Sequence, residues 1–177
     1  MEFPPRKKIP HDIPEWVKSG SLFFVTVCAL PRGVDSLCRP DVAPQLLEAI
    51  RTYHEREIWY ARVAVLMPDH WHALIAFPAD RAMRTVVSQW KSYTAQRTGV
   101  TWQRDFFDHR LRDGESLELK ATYVRQNPVR AGLVATAEDW PWVFEAETGI
   151  WNVGPGSTNV GPGGPDTTLG DERAIRG

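Results

Sequence analysis

Only two cysteines, Cys28 and Cys38, occur in this chain of 177 residues, too few for a disulfide framework. Such a pair reads as two reduced thiols of a cytosolic protein. No stretch approaches the roughly 18 consecutive apolar residues that a membrane helix needs, so no membrane partner is expected. The first residues, Met1 to Lys8, carry positive charge with no apolar run behind them, so no secretory signal is expected either. Excess charge is also missing: the net value of −1 does not by itself mark a nucleic-acid binder. One stretch, however, lacks acid altogether. From Arg81 to Arg104 the chain has five basic residues, Arg81, Arg84, Lys91, Arg97 and Arg104, and no Asp or Glu. Such a face can follow a phosphate backbone, and it can equally be a solvated helix surface. What is plentiful is hydrophobic and aromatic material, at 42% and 11%, with eight tryptophans, enough for one well-packed domain.

Composition divides the chain. Residues 1–20 hold four prolines and read as an irregular arm. Residues 149–177 are rich in Gly, Pro, Ser and Thr, and repeat Asn152-Val153-Gly154-Pro155-Gly156 as Asn159-Val160-Gly161-Pro162-Gly163. A segment of that kind buries too little apolar area to offset its ordering entropy, so a disordered tail is expected there. Residues 21–148 remain as the folded domain.

Within the domain, Leu22 to Leu30 is a β-branched and aromatic run, hence a strand. Asp41 is a candidate N-cap for a helix to about Glu55, with Leu46, Leu47, Ile50 and Tyr53 at helical spacing. Ile58–Met67 and Trp71–Phe77 read as strands joined by a Pro68-Asp69 turn. Met83 to about Arg97 is helical in spacing, and Phe106–Leu111 is a short strand. Ser116 to about Asn127 is a last helix, carrying Leu117, Leu119, Tyr123 and Val124 and stopped by Pro128. The βαββαβ order predicts an α+β fold: a ferredoxin-like antiparallel sheet with helices on one face, plus a C-terminal tyrosine-bearing helix.

Two pairs of residues carry candidate chemistry. His70 and His72 flank Trp71, and on a strand residues i and i+2 leave the same face, so both imidazoles would stand together as half of a metal site. Two ordinary polar residues on a half-buried strand give the same spacing. Tyr123 and Asn127 are one helical turn apart and share a face. They could offer a nucleophile and an amide oxygen ligand to one centre, or be a packed ring and a helix stop. A cation held by His70, His72 and Asn127 with open positions could polarise a phosphate oxygen. A protonated phenol is a weak nucleophile, so attack would draw on that cation and on nearby Arg or Lys.

Pro68-Asp69-His70-Trp71-His72 resembles the P-D-H-x-H segment of single-tyrosine HUH transposases. The run from Tyr123 through Asn127-Pro128-Val129-Arg130-Ala131-Gly132 to Leu133 resembles their tyrosine-helix motif, in the version of the REP-associated tyrosine transposases. Trp90-Lys91-Ser92-Tyr93-Thr94, the block from Trp102 to Arg110, and Asp139-Trp140-Pro141-Trp142 are further matches, in the family's order, from about Phe23 to Trp142.

The resemblance implies a ferredoxin-like fold, a divalent Mg2+ or Mn2+, and in-line attack by Tyr123 on a DNA phosphodiester. The product would be a 5′-phosphotyrosine and a free 3′-hydroxyl, a link that keeps the phosphodiester energy for rejoining. It places Asn127 as third metal ligand, with Gln126 beside it less directly presented. It implies single-stranded or hairpin DNA, such as repetitive extragenic palindromes, as partner. Lys91, Arg97, Arg104 and Arg125 are the candidate DNA contacts. Trp90 and Trp102 are either core residues or stacking surfaces for bases. By analogy with bacterial relatives the setting is cytoplasmic and nucleoid-associated, and the protein is a monomer or homodimer. The competing readings are a domesticated, non-catalytic hairpin-DNA-binding protein, an HUH nickase of replication or conjugation, and an RNA-binding domain. The last lacks the K/R-G-F/Y-G/A-F-V-x-F/Y strand pattern expected of it.

Overall fold

Strict alternation shapes the first strand, β1 (Leu22–Leu30): Phe23, Val25, Val27 and Ala29 are buried, while Phe24, Thr26 and Cys28 between them are only partly covered. The sheet therefore has two faces of different character. The computed structural model describes residues 21–112 and 116–146. The expected arm (1–20) and tail (149–177) lie outside the described residues.

After β1 come α1 (Ala43–Glu55), β2 (Tyr60–Met67), β3 (His70–Ala76), α2 (Met83–Thr98), β4 (Thr101–Trp102), β5 (Phe107–Arg110), α3 (Leu117–Arg125), α4 (Asn127–Arg130) and β6 (Val143–Glu145). The six-stranded sheet runs β4-β1-β3-β2-β6, and β5 also pairs with β1. Every ladder is antiparallel. Since β3 lines one edge of β1, β4 and β5 share the other edge at opposite ends. With β5 as fourth strand, the order β5-β1-β3-β2 is the ferredoxin-like arrangement that the element order predicts.

Helices α1 and α2 cover one face. Leu46 and Ile50 of α1 and Val86, Val87 and Trp90 of α2 join Val25, Val27, Trp71 and Ile75 of the sheet in one core, with Trp59 between them. The opposite face carries a smaller core, where Ala121 and Val124 of α3 meet Val63, Val65, Met67 and Leu74. The tyrosine-bearing helix thus lies on its own side of the sheet, the side that also presents His70 and His72.

Several local expectations are corrected. Asp41 does not cap α1: the cap position is Val42, with no side-chain cap bond, and the Asp41 carboxylate pairs with Arg39 instead. Ser116 does cap α3, its hydroxyl accepting from the Leu119 N–H at 3.3 Å. The tyrosine-bearing helix does end before Pro128, at Arg125, but Pro128 then sits in the first positions of a further turn, α4, where its missing N–H costs nothing. Leu119 is exposed, because the buried stripe of α3 is Leu117, Ala121 and Val124. Short strands β4 and β6 form on the sheet edges where no strand was expected. Gly99 ends α2 in the left-handed conformation (φ 72°) that favours glycine.

Candidate active site

The register sets His72 between Thr26 of β1 and Val65 of β2, and His70 between Cys28 and Met67. Both imidazoles leave the α3 side of the sheet, and their Nε2 atoms converge to 3.1 Å. Their other nitrogens are held from behind. His70 Nδ1 lies 2.6 Å from the Asp69 carboxylate, and His72 Nδ1 lies 2.8 Å from Thr26 Oγ1. Asp69 is itself fixed, accepting the Gly33 N–H at 2.6 Å and pairing with Arg32 at 3.3 Å. Burial would raise its pKa, but the Gly33 N–H, His70 and Arg32 outweigh burial and hold it below the usual carboxylate value. His72 is pushed down to about 3, first by burial and then by the charges of His70, Arg32 and Arg130, so it is neutral at physiological pH.

This donor set fits a divalent cation. Two neighbouring ligands of an octahedral ion at about 2.1 Å stand roughly 3.0 Å apart, close to the spacing of the two Nε2 atoms. An imidazole must be neutral to ligate, and a partner on the remote nitrogen aims its lone pair. Asp69 and Thr26 are such partners. The described residues contain no group of three or more His, Cys, Asp or Glu placed to hold a metal. Further ligands would be amide, water or phosphate oxygens.

Tyr123 stands on α3 beside this pair. Its ring meets the edge of Phe24 at 6.2 Å, and Phe24 in turn stacks on His72 at 5.3 Å. The phenol is 46% exposed, so it is open to a ligand rather than packed in the core. The Arg130 guanidinium lies 4.5 Å from the Tyr123 ring centroid and is close enough to His72 to depress its pKa. Arg130, Phe24, Thr26, Asp69 and Arg32 are parts of this centre that spacing in the chain did not single out. Asn127, one turn beyond Tyr123, turns its amide nitrogen onto the carbonyls of Tyr123 (3.3 Å) and Val124 (3.1 Å). Among the described residues no hydrogen bond joins Asn127 to either histidine.

An ionic clamp seats α3 on the sheet. Arg62 occupies a bulge in β2 and is 2% exposed. It donates to Glu145 of β6 at 3.0 Å, to the Ala146 carbonyl at 3.2 Å, and to Glu118 of α3 at 3.4 Å. Glu145 in turn accepts from Arg125 in the last turn of α3, with one contact at 3.0 Å.

The structure distributes the candidate DNA contacts unevenly. Lys91 is placed otherwise than its position in an acid-free segment suggests. It is 8% exposed, and its ammonium donates to the carbonyls of Gln103 at 2.8 Å and Arg104 at 2.7 Å, so it staples the β4–β5 loop to α2. Burial lowers its pKa, with Asp105 opposing and Arg84 adding to the effect. Arg125 is committed to Glu145. Arg97 lies on the Tyr93 ring, 5.5 Å from its centroid, at the surface. Arg104 lines a pocket of about 180 Å³ with Arg84, Ser88 and Lys91. Trp90 is wholly buried, and Trp102 packs on it at 5.3 Å while donating to Thr94 Oγ1 at 3.0 Å, so both serve the fold. No described helix is long and apolar enough to cross a membrane.

The sequence model of the family described as Transposase IS200 like matches residues 27–127, a span that takes in both histidines and Tyr123. A protein of Haemophilus influenzae, provisionally named a REP-associated tyrosine transposase, is 25% identical over 141 residues, covering 70% of this chain and 78% of its own. The REP-associated tyrosine transposase of Escherichia coli K12 is 28% identical over 83 residues, 44% of this chain and 49% of its own. Among solved structures, a REP-associated tyrosine transposase bound to a REP hairpin matches with a TM-score of 0.61 at 23% identity, over 75% of this chain and 81% of that one. At that identity the likeness speaks for the fold.

Proposed function

Because the chain belongs to the IS200-like transposase family, we propose that it cuts and rejoins single-stranded DNA through Tyr123, with Mg2+ or Mn2+ held by His70, His72 and Asn127. The observation that carries this reading is the placing of an exposed tyrosine, through Phe24, beside two converging histidines. The Tyr123 oxygen attacks the phosphorus and gives up its proton. The new O–P bond forms as the bond to the 3′ oxygen breaks, and that oxygen takes a proton as a free 3′-hydroxyl. The 5′ end stays on the tyrosine, and the reverse attack by a 3′-hydroxyl rejoins the strand. A bound cation would supply charge stabilisation at the phosphate oxygens. Asp69 and Thr26 keep the imidazoles aimed, and Arg130 supplies a second positive charge beside the nucleophile. Arg97 and Arg104 contact the backbone, whereas Lys91 and Arg125 act through the fold. The relatives are bacterial proteins, and their setting makes the cytoplasm the place of work proposed for this chain.

The REP hairpin carried by the solved relative makes hairpin-forming repeat DNA the substrate to try first. The test is a denaturing gel with labelled hairpin oligonucleotides and Mn2+. A protein–DNA adduct should form with the native chain, and should be absent with EDTA and in Tyr123→Phe. Arg130→Gln should form adduct on the order of 100-fold more slowly at saturating DNA. Binding without any adduct across many hairpins would replace this reading with that of a non-catalytic hairpin-binding protein.

A further inference from the structure

The histidine face carries one more ring open to solvent. Phe107 begins β5 and pairs in register with Thr26, which itself pairs with His72, so the Phe107 side chain leaves the sheet on the side of the paired histidines. It is 49% exposed. Its ring meets Phe24 edge-on at 6.4 Å and 69°. Phe24 is the ring that stacks on His72 and meets Tyr123 at 6.2 Å and 73°. Phe107 and Tyr123 therefore both meet Phe24, the ring that stacks on His72. Phe24 meets the Phe107 ring edge-on, and about half of the residue is open to solvent.

We infer that Phe107 is the platform on which one nucleobase next to the cut phosphodiester stacks. A single strand with its phosphate at Tyr123 can lay a neighbouring nucleotide across this face, because Tyr123 and Phe107 both meet Phe24 on the histidine side of the sheet. Every base has a π-face, and an exposed aromatic ring beside a basic group is what holds unpaired bases without reading their sequence. Arg130, over the Tyr123 ring, provides that charge for the backbone while Phe107 takes the base. The position is also structurally tolerant: the ring is half-exposed, so its removal leaves both cores intact. The inference rests on the proposed single-strand reading of the site.

The experiment walks 2-aminopurine, one position at a time, along the single-stranded segment of a hairpin oligonucleotide, using the full chain. One position flanking the cut should be quenched on binding, and Phe107→Ala should abolish that quenching while Phe107→Trp restores it. An abasic residue at that position should weaken binding to the native chain on the order of 10-fold and leave binding to Phe107→Ala unchanged. Equal quenching and equal affinity in Phe107→Ala, with adduct formation intact, would overturn the platform and spare the cleavage reading. Failure of the native chain to bind any of the oligonucleotides would overturn both. A melting curve for Phe107→Ala matching the native one confirms that a loss of quenching belongs to the ring and not to unfolding.

Discussion

Replacing Lys91 by methionine separates two uses of one positive charge. The side chain stays similar in length and keeps its methylenes packed, but it loses the ammonium that donates to Gln103 and Arg104. Hydrogen bonds from a charged donor are each worth about 1.5–3 kcal/mol. Desolvation of the ammonium offsets part of that, as the lowered pKa of Lys91 shows. A net loss of about 2–3 kcal/mol follows, or roughly 4–12 °C in Tm for a chain of this size. Binding of hairpin DNA, titrated over salt concentration, should keep its slope, because no phosphate contact is removed. Arg104→Gln should do the reverse, keeping Tm and reducing the slope by about 1. An unchanged Tm in Lys91→Met, together with a slope reduced by about 1, would refute the assignment of Lys91 to the fold and return it to the DNA.

Two other outcomes are open to direct measurement. The metal-free protein should lose stability on acidification. His72 titrates at about 3 in the fold against 6.5 unfolded, so between those values the unfolded chain holds a proton that the folded one does not. Its stabilising effect is complete above pH 6.5 and falls as the pH drops towards 3, by up to about 1.4 kcal/mol per unit. His72→Gln should flatten that limb of a Tm–pH curve, and identical limbs would contradict it. A mixture of His70→Ala with Tyr123→Phe should form no adduct, because Tyr123 sits against the histidines of its own chain through Phe24. Recovery of adduct in the mixture would show that the tyrosine works on a second copy.

The parts of the fold that are legible in the sequence are those with a long period. β1 announces itself by its alternation, β2 and β3 by runs of buried apolar residues, and α2 by a spacing of 3.6. β4 and β6, with two and three residues, impose none. They exist because the edges of β1 and β2 offer unpaired backbone groups to whatever segment passes. The last helix was legible in extent but not in facing. Its buried stripe, Leu117, Ala121 and Val124, spans two turns and holds only one large residue, so the exposed Leu119 and Tyr123 look equally apolar on paper. That misplacement matters for function. A tyrosine on the buried stripe would be a core residue, whereas Tyr123, one position off it, is free to meet a substrate.

The histidine pair could be read from spacing because two residues on one strand need no long-range information to share a face. What makes the pair useful does need it. Thr26 reaches His72 only through the β1–β3 register, across 46 positions. The cations are the harder case, since a formal charge says nothing about what it is spent on. Arg125 and Lys91 stand where a DNA contact is expected, yet both are already paired within the fold. Arg130 stands in a turn that the sequence suggests is beyond the helix. After α3 ends at Arg125, Pro128 lies in the opening of α4, and that single turn carries the Arg130 guanidinium back over the Tyr123 ring. The motif Asn127-Pro128-Val129-Arg130 therefore has a geometric reading. The proline's fixed φ and absent N–H suit the first turn of a new helix, and the new helix returns a charge to the exposed tyrosine of the old one.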